Sequence, residues 1–187
     1  MKVIPLNREQ KLIEAAKKND RLSQQKIYDL HAPKMLALCR QYIKDVQQAE
    51  EVMVSGFLKC FLSINSFSGA GSFEGWLRKT MVRSCLDFIK VKKNHFNHDH
   101  IENHHITDTD DVFNLLAEQD LQFIQHCIEQ LPTACKLVFN LYVIEEYKHK
   151  EIADELSISV GSSKKQLSIA KQKIREQLKN NPKFKMQ

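Results

Sequence analysis

Side chains that can bond phosphates and base edges recur in GSSKKQLSIAKQK, residues 161–173. We predict that they lie on the exposed face of a helix capped by Ser159, and they are Ser162, Ser163, Lys164, Lys165, Gln166, Ser168, Lys171 and Gln172. A shorter helix near Lys148–Leu156 precedes this helix across a turn. This spacing is typical of a helix-turn-helix that reads duplex DNA in the major groove. A plain helical hairpin with a solvated lysine face is the alternative.

The inner faces of these two helices follow from the same spacing. We expect Ile152, Ala153 and Leu156 to pack against Val160, Leu167, Ala170 and Ile174. Ala153 is small enough to let the two helices cross closely.

A second candidate for binding chemistry is a glycine-rich segment, NSFSGAGSFEGW, residues 65–76. It contains three of the chain's five glycines, Gly69, Gly71 and Gly75, directly before the only tryptophan, Trp76. Glycine accepts positive φ and lets the backbone approach a ligand closely, and the serines supply short hydroxyls. The segment therefore indicates either a ligand-holding loop or an ordinary turn with Phe67 and Phe73 in the core.

Charge is segregated along the 187 residues. Residues 1–93 carry 17 Lys/Arg against 9 Asp/Glu, residues 94–129 carry none against 8, and residues 130–187 carry 11 against 6. The formal net charge of +5 therefore conceals two basic lobes separated by an acidic segment. This pattern favours two surfaces for a polyanion over solvated charge without a partner.

Helical spacing of apolar residues dominates both basic lobes, and β-type alternation is absent from the sequence, so the predicted fold class is all-α. We predict two small helical domains, 1–93 and 118–187, joined by a flexible acidic linker, 94–117. Pro33 is expected near a helix start. A helix from about Phe73 to Val91 should bury Leu77, Met81, Cys85 and Phe88, and expose a basic stripe of Lys79, Arg83 and Lys90.

Composition excludes several classes of protein. No apolar run approaches the roughly 18 residues of a membrane span, and the amino terminus lacks a secretory signal, which predicts a cytoplasmic protein without membrane insertion. The five cysteines, Cys39, Cys60, Cys85, Cys127 and Cys135, are expected to be buried reduced thiols. Walker-type, HExxH and GxSxG motifs are absent, so we do not expect an enzyme.

The predicted linker is rich in histidine. His95, His98, His100, His104 and His105, with Asp99 and Glu102, could bind a divalent metal, but nothing in so polar a segment sets a geometry. We therefore predict neither metal nor cofactor. Acidic mimicry of nucleic acid and a merely solvated tether are the remaining interpretations.

Two motifs resemble those of RNA polymerase sigma factors of the extracytoplasmic-function type, in the sigma-70 family. LPTACKLVFNLYVIEEYKHKEIADELSIS followed by GSSKKQLSIAKQKI resembles sigma region 4. RQYIKDVQQAEEVMVSGFLKCFLSINSFSGAGSFEGWLRKTMVRSCLDFIK is similar to sigma region 2. The resemblance covers about residues 22–93 and 118–180, with the two motifs in the family's order.

The resemblance implies a factor that joins core RNA polymerase through its clamp helices and flap, opens promoter DNA and initiates transcription. Region 4 would read the −35 element through Ser162, Ser163, Lys164, Lys165, Gln166, Ser168 and Lys171. Region 2 would capture the −10 element through Asn65, Ser66, Phe67, Ser68, Gly69, Gly71, Ser72, Lys79 and Arg83, with Phe67 or Phe73 stacking on an unstacked base. Core polymerase would contact Glu50, Glu51, Val54, Ser55 and Leu58. Anti-sigma control is common in the family, which makes an anti-sigma factor a candidate partner.

Five positions depart from the family's usual residues. Val54 and Ser55 replace glutamine and an acid, and Arg83 stands where asparagine is common. In the recognition helix Ile169, expected at the margin of the DNA-binding face, replaces arginine, and Lys165 replaces serine. The altered polymerase contact leaves a second hypothesis, a helix-turn-helix regulator that does not bind core polymerase.

Overall fold

The computed structural model describes residues 6–93 and 121–180, in which every regular element is helical. The chain divides into two compact units, with the boundary between His98 and Asp99. The predicted linker and its histidine cluster lie outside the described residues. Within the described ranges the all-α prediction is confirmed.

The amino-terminal unit contains four helices: α1 (Leu6–Lys17), α2 (Arg21–Tyr42), α3 (Val46–Ser63) and α4 (Phe73–Lys93). A short 3-10 turn, Ile64–Ser66, follows α3. Aspartates cap two of the helices: Asp20 accepts a hydrogen bond from the Ser23 backbone N–H (2.9 Å), and Asp45 accepts one from that of Gln48 (2.8 Å). Hydrogen bonds from Ser23 hold the pKa of Asp20 below its ordinary value.

Pro33 lies inside α2, so the prediction of a helix start there is wrong. Proline removes one intrahelical hydrogen bond, but Pro33 is on the exposed side of the helix, where water can satisfy the freed carbonyl. Ile27, Met35 and Leu38 are buried on both sides of it. Their packing stabilises the helix on both sides of the proline, since tertiary burial outweighs local propensity.

The carboxy-terminal unit contains α5 (Leu121–Glu129), α6 (Thr133–Phe139), α7 (His149–Leu156) and α8 (Val160–Asn180). A π-helical turn, Asn140–Ile144, extends α6, and the Glu145 backbone N–H bonds the Asn140 carbonyl at 3.0 Å. Between α7 and α8 the chain reverses at Ser157, which has left-handed backbone angles. This is the predicted helix-turn-helix.

Each unit has its own apolar core. In the first, the centre is formed by residues of α2, α3 and α4, including Met35, Phe57, Leu77 and Met81. In the second, Ile152 of α7 and Leu141 of the π-helical turn are fully buried. All five cysteines are buried and free, as predicted.

Candidate nucleic-acid interfaces

The recognition helix α8 begins at a serine pair. The Ser159 hydroxyl accepts a hydrogen bond from the Ser162 backbone N–H at 2.9 Å and lies 2.9 Å from the Ser162 hydroxyl. This is the predicted N-cap, and it satisfies one of the donors left open at a helix start. Both serines are exposed, so the first turn of α8 is accessible to a ligand.

The accessible side of α8 carries most of the predicted DNA-binding residues. Lys164 is exposed, while Lys165, Ser168 and Lys171 are partly exposed. We call Ser162, Lys164, Lys165, Ser168 and Lys171 the α8 cationic face. Three lysines on this face give a positive surface that suits a phosphate backbone.

Two predicted DNA contacts are instead part of the core. Ser163 is 0% exposed and its hydroxyl lies 2.9 Å from Nδ1 of His149. Gln166 is 7% exposed, and its Oε1 accepts a hydrogen bond from the Cys135 thiol at 2.9 Å. The expectation that both side chains lie on the exposed face is therefore wrong, because their polar groups bond α7 and α6.

The core face of α8 also differs from the prediction at two apolar positions. Val160, expected to pack inward, is 42% exposed, whereas Ile169, expected at the edge of the DNA surface, is 6% exposed. Leu167, Ala170 and Ile174 are buried as predicted. Ile169 therefore belongs to the core face of α8.

His149 links the α8 cationic face to the core, and it was not identified from the sequence. Its ring stacks on Tyr142, with centroids 4.5 Å apart and planes 24° apart. Burial, then the positive charges of Lys164 and Lys171, lower the pKa of His149. Spacing could have revealed it, because His149 lies three and four residues before Ile152 and Ala153, on the side of α7 that packs on α8.

The glycine loop, residues 65–73, connects the 3-10 turn to α4. Gly69 and Gly71 have φ of +82° and +92°, conformations that glycine adopts without strain. A Cβ at either position would meet no atom within 4 Å, so the backbone there is open to a ligand. Asn65, Ser66, Ser68 and Ser72 are exposed.

Two loop serines already serve local structure. The Ser66 hydroxyl donates to the Ser63 carbonyl at 2.8 Å, and the Ser72 hydroxyl accepts from the Gly75 backbone N–H at 3.0 Å at the start of α4. These bonds set the loop's two ends, while Gly69 and Gly71 lie between them.

The loop's phenylalanines form an aromatic cluster with Trp76. Ring centroids are 5.4 Å apart for Phe67 and Phe73, 5.6 Å for Phe67 and Trp76, and 5.7 Å for Phe73 and Trp76. Phe67 is 8% exposed and Phe73 is 4% exposed, so neither ring can stack on an entering base as placed. The prediction that Phe67 contacts DNA is therefore wrong, because its ring supports the loop from the core. Of the two alternatives for Phe67 and Phe73, base stacking and burial, the structure has burial.

The basic stripe of α4 lies where the sequence predicts. Lys79, Arg83 and Lys90 are exposed, and Leu77, Met81 and Cys85 are fully buried on the other side. Phe88, predicted to be buried with them, is only partly buried. The helix that carries this stripe begins where the glycine loop ends.

A separate exposed surface lies on α3. Glu50, Glu51 and Ser55 are exposed, and three apolar residues one turn apart are 54%, 60% and 78% exposed: Val54, Leu58 and Leu62. We call these three the α3 apolar stripe. Leu62 was not among the predicted contacts, although its spacing from Leu58 signals the same face.

The described residues contain no group of three or more His, Cys, Asp or Glu side chains placed to hold a metal ion. Nor does any described helix combine the length and apolarity that crossing a membrane requires.

Comparison with known proteins matches both units. The family models described as Sigma-70 region 2 and Sigma-70, region 4 match residues 27–95 and 122–174. The ECF RNA polymerase sigma factor SigW of Bacillus subtilis (strain 168) is 26% identical over 183 residues, which cover 91% of this chain and 96% of SigW. The ECF RNA polymerase sigma-E factor of Haemophilus influenzae is 22% identical over 180 residues, covering 91% and 95%.

A solved structure agrees with this fold. The sigma factor RpoE, in complex with the anti-sigma factor NepR from Bartonella quintana, has a TM-score of 0.51 and 15% identity, covering 84% of this chain and 97% of that one. The two family models together match more than half of the chain. The chain belongs to the sigma-70 family of RNA polymerase sigma factors. Within that family it is of the extracytoplasmic-function type.

Proposed function

We propose that this chain is an alternative sigma factor that binds core RNA polymerase, recognises promoter −10 and −35 elements and initiates transcription. The observation that carries this conclusion is the presence of region 2 and region 4, in that order, on two helical units of one chain. A regulator that uses the helix-turn-helix alone would not need region 2. The chain works as an initiation factor in the cytoplasm, where the polymerase is, and not as a catalyst.

The −35 element is bound by the α8 cationic face. Ser162, Lys164, Lys165, Ser168 and Lys171 supply hydroxyl and ammonium donors on the accessible side of the helix. Ser163 and Gln166 contribute indirectly, because their bonds to His149 and Cys135 set the angle of α8 against α7 and α6. Supporting this assignment is the position of α8 as the second helix of the helix-turn-helix.

The −10 element is bound by the glycine loop and the first turns of α4. The exposed backbone at Gly69 and Gly71 can approach the edge of an extruded base, with Asn65, Ser66, Ser68 and Ser72 around it. Lys79 and Arg83 contact the phosphates of the single strand. The aromatic cluster beneath the loop holds it in shape and takes no part in base stacking.

Core polymerase is bound by α3. The α3 apolar stripe exposes three large aliphatic side chains in a row beside Glu50, Glu51 and Ser55, and such a row is stabilised when a partner covers it. Val54 in place of the family's usual polar residue makes this contact more apolar. The relative RpoE is solved with an anti-sigma factor, and we propose that this chain is also controlled by one.

The test is multi-round transcription with purified bacterial core RNA polymerase on a random promoter library. We expect enriched templates to share two elements, and permanganate to reveal reactive thymines near the start site. Failure to co-purify with core polymerase, together with duplex binding through the carboxy-terminal unit, would favour the regulator instead.

A further inference from the structure

His149 lies at a junction that the DNA-binding surface shares with the core. It is the first residue of α7, it is partly exposed, and it contacts α8 through Ser163 and the π-helical turn through Tyr142. Lys164 follows Ser163 directly on the α8 cationic face. A ligand that lies against this face therefore comes close to the imidazole.

The hydrogen bond to Ser163 permits both protonation states of the ring. A hydroxyl can donate to a neutral Nδ1 or accept from a protonated one, so the 2.9 Å contact survives either way. Nε2 is left as the nitrogen that can donate to an outside acceptor. The histidine is therefore able to gain a proton without breaking its contact with the core.

Charged groups lie on two of the three elements that carry or contact this ring. On α8 these are Lys164 and Lys171, which, after burial, lower the pKa of His149. The π-helical turn contributes the aromatic ring of Tyr142. On and before α7 are Lys148, Lys150, Glu145, Glu146 and Glu151, and the Glu151 carboxylate accepts a hydrogen bond from the Lys148 backbone N–H at 2.7 Å.

We propose that His149 is a proton-linked contact to the DNA backbone: a phosphate that binds beside Lys164 and Lys171 neutralises their charge, and the imidazole takes up a proton from solvent and donates from Nε2. The proposal rests on the proposed function of α8. The bound state holds the proton more tightly than the free state. Affinity for DNA therefore rises as pH falls through the region near and below the ordinary imidazole pKa of about 6.5.

The experiment measures binding of the full chain to a 20-base-pair duplex by fluorescence anisotropy at pH 8.0 and pH 5.5, at constant low ionic strength. Because the bound phosphate raises the imidazole pKa, this residue should contribute a severalfold gain in affinity at the lower pH. His149→Gln should remove that gain, and His149→Arg should replace it with tighter binding that no longer changes with pH at this position. His126→Gln, on the exposed side of α5, is the matched control and should keep the full pH response.

Calorimetry of the wild-type chain in two buffers of different ionisation enthalpy provides a measurement that does not depend on any variant folding. Net proton uptake on binding at pH 6.5 is expected. A pH response that survives in His149→Gln, or binding without proton uptake, would overturn the proposal. Normal transcription at pH 8.0 in the same experiment would show that the proposed sigma function is unaffected by that result. Absence of both duplex binding and transcription would instead contradict the proposed function itself.

Discussion

At Gly69 and Gly71 the proposed contact to DNA is made by the backbone itself. Their positive φ values set the course of the loop between its two ends, which are held by the hydrogen bonds of Ser66 and Ser72. Residues with a Cβ lose about 1–2 kcal/mol in such a conformation. Because a Cβ there would meet nothing within 4 Å, the loss comes from the backbone angle and not from crowding.

Replacing both glycines by valine should abolish promoter melting while core-polymerase binding and the helical content persist. The loop would move to negative φ and withdraw its peptide groups from the base. Permanganate footprinting measures the melting. Ala70→Val, which adds the same kind of bulk at a residue without positive φ, should cause a smaller loss, and normal melting by the double valine variant would return the loop to an ordinary turn.

The buried thiols should be chemically silent in the folded protein. Burial raises the pKa of the Cys60 thiol to about 12, so the reactive thiolate at pH 8 is on the order of one molecule in ten thousand. Cys39 accepts a hydrogen bond from Cys85, which lowers its pKa, yet its side chain is 0% exposed. Iodoacetamide at pH 8 should label all five cysteines in urea and Cys60 almost not at all without it; rapid native labelling of Cys60 would contradict its position.

At the scale of the element, α8 serves two functions from opposite sides. Its buried side carries polar residues that bond α6 and α7, and its accessible side carries the lysines. The buried hydrogen bonds join Gln166 to Cys135 and Ser163 to His149, so both side chains have their partners inside the carboxy-terminal unit. The orientation of the lysines therefore depends on contacts that no DNA reaches.

Lys164→Ala with Lys165→Ala should weaken −35-dependent transcription and reduce its dependence on salt. Each lost phosphate contact should lower the slope of log affinity against log salt by about one. Lys179→Ala, in the last turn of α8, removes a lysine outside the α8 cationic face and is the control that should leave the slope unchanged. An unaltered slope in the double variant would show that another face of the unit meets DNA.

Leu58→Ser with Leu62→Ser should weaken binding to core polymerase by at least tenfold. A large aliphatic side chain contributes about 1.5–3 kcal/mol when it passes from full exposure to full burial, and these two start 60% and 78% exposed. Pull-down with core polymerase at graded concentrations measures the change. Leu22→Ser is the control, because Leu22 is 67% exposed at the start of α2 in the same unit and the substitution is of the same kind. An equal loss of polymerase binding in this control would indicate general instability instead of a lost contact.

At the scale of the whole molecule, each unit has its own core, so each should fold without the other. Fragments 1–93 and 118–187 should each show a cooperative thermal transition by circular dichroism, because the buried residues of each unit pack among themselves. Fragments of the same lengths whose boundary lies inside α3 provide the control, since that cut divides the core of the amino-terminal unit. Loss of cooperativity in both natural fragments would indicate a single intimately packed domain.

Sequence patterns alone determined the helical class, the helix-turn-helix and the family, because apolar spacing and local motifs need no distant partner. The buried face of α4, the Ser159 cap and the exposed basic stripe were likewise predicted from spacing. Tertiary structure decided how polar and aromatic residues were shared between core and surface. The spacing of α8 alone predicts that Gln166 and Ser163 are exposed. Their burial becomes visible only in the fold, where Cys135 and His149 approach them from other helices. In the same way, the sequence could not decide whether Phe67 lies in the core or contacts DNA. The structure decides it, because Phe73 and Trp76 pack against Phe67 across the loop, and the energy of burying a side chain depends on such neighbours.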